Sequence, residues 1–150
     1  MNLNPHWIAG FVDGEGTFYV GINKHPEMTT GYQVMPEFRV VQHKRDIQLL
    51  HALKKYFKGG VVRVNHDDRY EFRVRNLQVL HDIIVPFFEK YDLCTKKKLD
   101  FIKFRKIIRY MNQKKHLTRE GIIDIIRIAK QMNRGYKPIA EKIEEELSNG

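Results

Sequence analysis

Residues 7–18 have the sequence WIAGFVDGEGTF, in which an apolar run ends in acidic residues separated by glycines. Pro5 suits the first turn of a helix, and Gly14 and Gly16 favour its end, so these positions predict a short helix over residues 5–13. After the last of these glycines, apolar side chains recur at every second position, which is typical of a half-buried strand. The stretch therefore predicts a helix that leads directly into the first strand of a sheet.

The remaining sequence continues these two patterns in a regular order. It predicts a second strand ending at about Gln42, a helix over 47–57 closed by Gly59-Gly60, two strands joined by a turn at Asp67-Asp68, and helices roughly over 77–90, 96–113 and 119–132. This order predicts an α+β fold with one antiparallel sheet, helices on one face and the other face free. We expect one domain over residues 1–150, with a core over about 1–115 and a C-terminal helical extension over about 116–150. The acidic segment 141–146 is interpreted as a solvated helix end or a frayed terminus.

The free face of the predicted sheet carries side chains that can hydrogen-bond to base edges. In the second strand Phe38 and Val40 point inward, whereas Glu37, Arg39 and Val41 point outward. Outward positions that we predict to contact DNA are Tyr19, Asn23, Arg39, Arg63, Asn65, Arg73 and Arg75. Arginine binds guanine and asparagine binds adenine through paired hydrogen bonds in the major groove. An ordinary solvated sheet face is the alternative.

Composition favours a polyanionic partner. The chain has 27 Lys and Arg against 18 Asp and Glu, a formal net charge of +9 at pH 7, which favours nucleic acid through steering and counterion release. A soluble protein of basic pI is the alternative. Residues 96–115 suit phosphate contacts, because they contain nine Lys or Arg and one acidic residue. A single Cys94 indicates a reducing, intracellular location; the compartment is left open, with bacterial cytoplasm and an organelle among the alternatives. No apolar stretch predicts a membrane span.

The first helix also indicates a metal site. Gly10 and Gly14 are four residues apart, so they share a helix face that lets a second helix approach closely. If two copies pack through this face, their Glu15 side chains meet, and paired carboxylates favour a hard cation such as Mg²⁺. Divalent ions can activate water and stabilise the oxygens of a phosphodiester displacement. The alternative for Asp13 and Glu15 is a helix-ending turn with solvated carboxylates.

Residues 8–16, with Trp7 before them and Thr17-Phe18 after them, closely resemble the signature of the LAGLIDADG homing endonucleases. The predicted element order is similar to that family's αββαββα fold over roughly the first 115 residues. The resemblance implies a saddle-like antiparallel sheet and an extra C-terminal helix. It also implies a homodimeric, Mg²⁺-dependent endonuclease that cuts both strands of a long, roughly palindromic DNA target. The alternatives are an RNA maturase that binds intron RNA and assists its splicing, and a cleavage-inactive DNA-binding protein.

The resemblance implies roles for four residues of the first helix. Glu15 would be a catalytic metal ligand through its carboxylate, and Gly14 would be a metal ligand through its backbone carbonyl. Asp13 would have a structural role at the helix end. Gly10, Asp13 and Gly14 would form the dimer interface.

Two further catalytic residues follow from the same resemblance. Gln42 is similar to the family's strand-end glutamine, which positions the water or the metal; simple strand termination is the alternative. Lys97 aligns with the active-site lysine, with Lys96 and Lys98 as the other candidates, and it would stabilise charge on the phosphate. A solvated helix start is the alternative for this lysine run. Asp46 occupies the position where the family often has a basic residue, and one of the basic residues 43–45 could take the place of that side chain.

Overall fold

The computed structural model describes residues 1–133 and 138–149, in which the chain forms six helices and one four-stranded antiparallel sheet. The helices are α1 (Pro5–Glu15), α2 (Ile47–Phe57), α3 (Leu77–Val79, a π-helical turn Leu80–Ile84, and Val85–Lys90), α4 (Lys97–Asn112), α5 (Arg119–Ala129) and α6 (Pro138–Asn149). The strands are β1 (Gly16–Lys24), β2 (Tyr32–His43), β3 (Val61–His66) and β4 (Arg69–Val74). The predicted α+β fold is confirmed. Residues 134–137 and Gly150, which belong to the predicted C-terminal extension, lie outside the described residues.

Helix α1 passes into β1 without a loop. Its first turn is capped by the Asn4 side chain, whose oxygen accepts a hydrogen bond from the backbone N–H of His6 at 2.8 Å. The helix ends at Glu15 rather than at residue 13, and the N–H of Gly16 donates to the carbonyl of Val12. A Cβ at residue 16 would lie 2.6 Å from Val12 Cγ1. This position therefore needs glycine so that the chain can turn directly from helix to strand.

The sheet has the strand order β1-β2-β4-β3, and its inner face is covered by helices. Phe18 of β1 pairs with Phe38 of β2, and both rings are fully buried together with Phe72 of β4. Helix α2 contacts β2 and β4, whereas α4 contacts β1. Burial of each aromatic ring contributes roughly 2–3 kcal/mol to stability. The packed inner face therefore holds the strands in register and leaves the opposite face to solvent.

Two expectations about the periphery are corrected by the structure. The alternation of Val64 with Arg63 and Asn65 predicts an inward side chain, but Val64 is half exposed, because β3 is the edge strand and this residue lies near the hairpin turn. The acidic tail is a helix end with exposed Glu145 and Glu146, as one of the two interpretations expected, but it is not frayed, since α6 packs against α5 and buries Ile143 completely. Ile143 and Leu147 are four residues apart, so they share the face that contacts the core.

Across residues 1–133 and 138–149, no helix has both the length and the apolar character that a membrane span requires.

Candidate functional site

The carboxylate of Asp13 connects the end of α1 to the start of α4. It accepts hydrogen bonds from the backbone N–H of Cys94 at 2.7 Å and of Thr95 at 3.1 Å, and from the Thr95 hydroxyl at 2.5 Å. The same hydroxyl oxygen accepts from the backbone N–H of Lys97 at 3.2 Å. Two segments about eighty residues apart in sequence are therefore held together where α4 begins.

These hydrogen bonds also control the ionisation of Asp13. Burial opposes the charged form, but the Thr95 hydroxyl, the backbone N–H groups of Cys94 and Thr95, and the charge of Lys97 outweigh it. Together they lower the pKa of Asp13 below its ordinary value of 3.8. Asp13 is therefore ionised at neutral pH, and its charged carboxylate accepts the hydrogen bonds that join α1 to the start of α4.

Of the three candidate lysines, Lys97 is the one whose side chain reaches the end of α1. Its Nζ donates a hydrogen bond to the carbonyl oxygen of Gly16, the residue directly after Glu15. Lys98 instead forms an ion pair with Asp92 at 3.4 Å, and Lys96 is exposed at the residue before α4. The cation next to the predicted metal ligand is therefore that of Lys97.

The end of α1 presents oxygen atoms suited to a divalent cation. Glu15 and Gly14 are exposed, and no hydrogen bond or ion pair joins the Glu15 carboxylate to another described residue. Carbonyls in the last turn of a helix lack intrahelical partners and form the negative end of its dipole. A carboxylate and a backbone carbonyl are hard ligands of the kind that Mg²⁺ and Ca²⁺ prefer. These donors fit such an ion, but they supply only part of its coordination shell.

Gln42 lies at the same end of the sheet. Gly16 pairs with Val40 in the β1–β2 ladder, so Gln42 lies two residues beyond that pair, on the side where α1 ends. It is half-buried and shares the alternation of Val40, which places it on the face covered by helices. The fold thus brings the three predicted catalytic residues, Glu15, Gln42 and Lys97, to one end of β1.

The predicted contact face of α1 is open in the monomer. A Cβ built at Gly10 or Gly14 would have no described neighbour within 4 Å outside the helix itself. Trp7 is exposed and stacks on Phe11, with ring centroids 5.0 Å apart. The opposite side of the helix is buried through Ile8, Ala9 and Val12. The exposed face of the helix therefore lacks side chains at Gly10 and Gly14 and has the Trp7 ring beside it, which leaves room for a second helix.

The outer face of the sheet holds the predicted DNA-contacting residues, but not as independent side chains. Arg39 and Arg73 lie directly opposite each other in the β2–β4 ladder. The Arg73 side chain is only 16% exposed, against 38% for Arg39 and 46% for Arg75. Burial, followed by the neighbouring Arg75 and Arg63 charges, lowers the pKa of Arg73, while Glu71 and Glu37 oppose that change. The exposed positions are Tyr19, Asn23, Arg63 and Asn65, with Arg75 at the end of β4.

Two residues of this face were not predicted to take part in the site. Glu37, expected as an ordinary outward position, and Glu71 are buried among the arginines, with 4% and 5% exposure. The Glu37 carboxylate binds Arg39 and Arg75, and the Glu71 carboxylate binds Asn65 and Arg73. The available signal was the repeated Glu-x-Arg spacing, which places an acidic and a basic residue on the same face of a strand.

The sequence profile of the LAGLIDADG endonuclease family matches residues 8–108. A protein of Neurospora crassa named probable intron-encoded endonuclease 2 is 38% identical over 135 residues, which cover 89% of this chain and 30% of that protein. The chain thus spans less than a third of that curated relative.

Two solved structures are similar over almost the whole chain. The crystal structure of the homing endonuclease I-TnaI has a TM-score of 0.94 and 56% identity, covering 98% of this chain and 99% of that one. I-SmaMI, bound to an uncleaved DNA target in the presence of calcium ions, has a TM-score of 0.91 and 34% identity, covering 94% of this chain and 48% of that one. Because the family profile matches most of the chain and aligns with the helix that carries the candidate site, the chain belongs to the LAGLIDADG endonuclease family.

Proposed function

We propose that the protein is a site-specific DNA endonuclease that hydrolyses phosphodiester bonds with a divalent metal ion. The observation that carries this proposal is the hydrogen bond from Lys97 Nζ to the carbonyl of Gly16, the residue directly after Glu15, where α1 ends and the sheet that presents the arginines begins. Family membership supports the same activity, and so does the name of I-TnaI, a homing endonuclease similar over its whole chain.

The proposed active form is a homodimer. Packing two α1 helices through Gly10 and Gly14 would fill the open face of each helix and bring two Glu15 carboxylates together. Mg²⁺ requires about six oxygen ligands, so paired carboxylates and the carbonyls of Gly14, completed by water and phosphate, form a suitable donor set. The calcium present with the uncleaved I-SmaMI complex supports a divalent ion in the family; the choice of Mg²⁺ is our proposal.

Each catalytic residue has a chemical role that fits its position. The metal, when bound, supplies an activated water and stabilises the leaving oxygen. Glu15 would hold the ion through its carboxylate and Gly14 through its backbone carbonyl. Lys97 donates a hydrogen bond to the Gly16 carbonyl and would supply a positive charge to a phosphate bound at this end of α1, and the Gln42 amide would orient a water by hydrogen bonding.

The outer sheet face would read the DNA. Strand β1 has nine residues and at about 3.3 Å per residue spans roughly 30 Å, which corresponds to about nine base pairs at ~3.4 Å each. Two such sheets separated by a central gap cover on the order of twenty base pairs. A long and roughly palindromic target therefore fits the proposed dimer. Binding to intron RNA, as in a maturase, stays a prediction.

The substitution Glu15→Gln tests the proposal. It keeps the side-chain shape but removes the charge that captures the metal, so cleavage in Mg²⁺ should fall by about 1000-fold or more. Binding in Ca²⁺ should persist, because the arginines that contact DNA are unchanged, and removal of carboxylate repulsion across the dimer should leave stability equal or slightly higher. Gel-shift titration in Ca²⁺ and a cleavage time course in Mg²⁺ measure the two effects on one substrate.

The matched control is Glu145→Gln, an exposed residue of α6 with the same change of charge, which should cut normally. Wild-type-like cutting by Glu15→Gln would remove this residue from the mechanism. Loss of binding together with cutting would make its role structural. A wild-type protein that binds DNA but does not nick plasmid in Mg²⁺ would instead favour the cleavage-inactive alternative.

A further inference from the structure

Glu37 and Glu71 lie in an unusual place for buried carboxylates. Both are on the outer face of the sheet, which no helix covers, yet they are 4% and 5% exposed and are the buried charged side chains among the described residues. Glu37 pairs with Tyr19 in the β1–β2 ladder, and Glu71 pairs with Val41 and Arg63. Their neighbours on that face therefore cover them. Burial of a carboxylate is unfavourable unless it is paired, so these partners are required.

Glu37 holds two arginines in defined orientations. Its Oε1 accepts a hydrogen bond from Arg75 Nε at 2.8 Å, and its Oε2 accepts one from Arg39 Nη1 at 3.2 Å. Because Arg75 uses Nε for this contact, its two terminal nitrogens remain donors for another ligand. Arg39 likewise keeps Nε and Nη2. Both side chains are more than a third exposed, so each guanidinium has one fixed edge and one edge that a ligand can reach.

Glu71 holds the side-chain amide of Asn65 in a defined orientation. Its Oε1 accepts a hydrogen bond from Asn65 Nδ2 at 2.7 Å, and its Oε2 lies 3.6 Å from Arg73 Nη1. The contact fixes which end of the Asn65 amide is the donor, leaving the oxygen and the second N–H to form the acceptor and donor pair that adenine requires. Arg73 is largely buried and serves mainly as the counter-ion of the two carboxylates.

The two carboxylates also limit unspecific attraction. Arg39, Arg63, Arg73 and Arg75 are close together on this face, and mobile arginines would bind any phosphate backbone. Negative charge within such a cluster repels the polyanion and lowers affinity for every sequence equally. Hydrogen-bond donors held in fixed orientations regain this lost affinity only on a DNA sequence whose base edges match them.

We propose that Glu37 and Glu71 are positioning residues that make the sheet selective, by holding Arg39, Arg75 and Asn65 in the orientations that read bases. This inference rests on the proposed function, in which the outer sheet face contacts DNA. The carboxylates themselves do not contact bases, since they are buried beneath the side chains that do.

The test compares Glu37→Gln and Glu71→Gln with the wild-type homodimer on its target and on a random duplex of equal length, in Ca²⁺. Each neutral variant should bind the random duplex more tightly and the target no more tightly, so that the ratio of the two Kd values falls about tenfold, as expected when one bidentate base contact is lost. A site-selection assay should show relaxed preference only at the base pairs read by the released side chains. Glu37→Asp, which keeps the charge, should restore part of the ratio.

Two controls separate positioning from general effects. Glu145→Gln changes the net charge equally but lies on α6, and should leave the ratio unchanged. In an Arg39→Ala, Arg75→Ala background, Glu37→Gln should cause no further loss of preference, because the side chains it orients are absent. Thermal denaturation identifies a variant that does not fold, and the other glutamate then provides the test through its own partners.

The outcomes are distinct. If the wild-type protein discriminates its target but both neutral variants keep the full ratio, the inference is wrong and the carboxylates serve only stability. Equal relaxation at every base pair, or an undiminished effect without the two arginines, also overturns it. If the wild-type protein itself binds target and random duplex alike, the proposed function has failed instead.

Discussion

The link between Asp13 and the start of α4 leads to a quantitative prediction. Asp13→Ala removes the acceptor of two backbone N–H groups and one hydroxyl, all from Cys94 and Thr95. The Lys97 backbone then loses its ordered contact with the Thr95 hydroxyl, because that hydroxyl is no longer held by the carboxylate. We expect the beginning of α4 to become mobile and the Lys97 ammonium to leave the Gly16 carbonyl for part of the time.

The size of the effect follows from two opposing contributions. A hydrogen bond to a charged group contributes about 1.5–3 kcal/mol in protected sites, and less where water can replace the lost partner, as it can at this partly exposed carboxylate. Against this loss, Asp13 is near the negative end of the α1 dipole, and its removal relieves roughly 0.3–1 kcal/mol. The free energy lost with the hydrogen bonds is larger than the free energy gained from the helix dipole. We expect the free energy of unfolding to fall by about 1–2 kcal/mol, or roughly 2–8 °C in Tm.

The loss of stability caused by Asp13→Ala should depend on pH. The pKa of Asp13 is lowered in the folded protein, so its contribution to stability is present above the ordinary value of 3.8 and is lost as the pH falls through the folded pKa. The difference between wild type and Asp13→Ala should therefore be constant near neutral pH and shrink below about pH 4. Denaturant unfolding at several pH values measures it. Cleavage, measured in parallel at neutral pH, should fall by about 10- to 100-fold through misplacement of Lys97.

The matched control is Asp92→Ala, which removes an exposed carboxylate two residues before Cys94 that pairs only with Lys98 among the described residues. It should change stability by less than about 0.5 kcal/mol. Equal effects of the two substitutions, or an Asp13→Ala difference that persists unchanged into acid, would refute the role assigned to this carboxylate.

Two further predictions concern the dimer and the basic helix. Gly10→Leu should separate the two α1 helices and abolish the homodimer, so light scattering should report 17.9 kDa instead of about twice that mass; a wild-type monomer that still cuts both strands would contradict the dimer. Lys103→Ala in α4 should weaken binding to all sequences and lower the slope of log Kd against log salt by about one, whereas a loss confined to the target would show that this lysine reads bases.

Much of the fold could be predicted because its periodicities are simple. The alternation around Phe18 and Phe38 identifies strands, and Gly16 marks the junction of α1 with β1. The failures concern residues whose environment comes from distant chain segments. Val64 has the pattern of an inward residue, but the sheet ends at its strand. Ile143 lies in an acidic segment, and only the packing of α6 against α5 shows why it is buried.

The residues of the candidate site likewise fall into those that a local motif predicts and those that depend on distant parts of the chain. Glu15 and Gly14 could be identified from the motif, because neighbouring residues on one helix end keep their spacing in any structure. The contact of Lys97 with Gly16 and the hydrogen bonds of Asp13 with Thr95 join parts of the chain about eighty residues apart, so no local pattern contains them. Glu37 and Glu71 depend on cross-strand register, which alternation alone does not provide.

The direct passage from α1 into β1 has a consequence for the geometry of the DNA target. In the proposed homodimer, the helix that joins the two protomers and the strand that follows the groove meet at Gly16 with no intervening residues. There is no hinge, so the distance and rotation between the two half-sites are built into the backbone. Side chains on the sheet could be exchanged to address another sequence, but the spacer between the two cuts would keep its length. Target sequence and target spacing would therefore be separate properties of the protein, the first set by side chains and the second by the backbone.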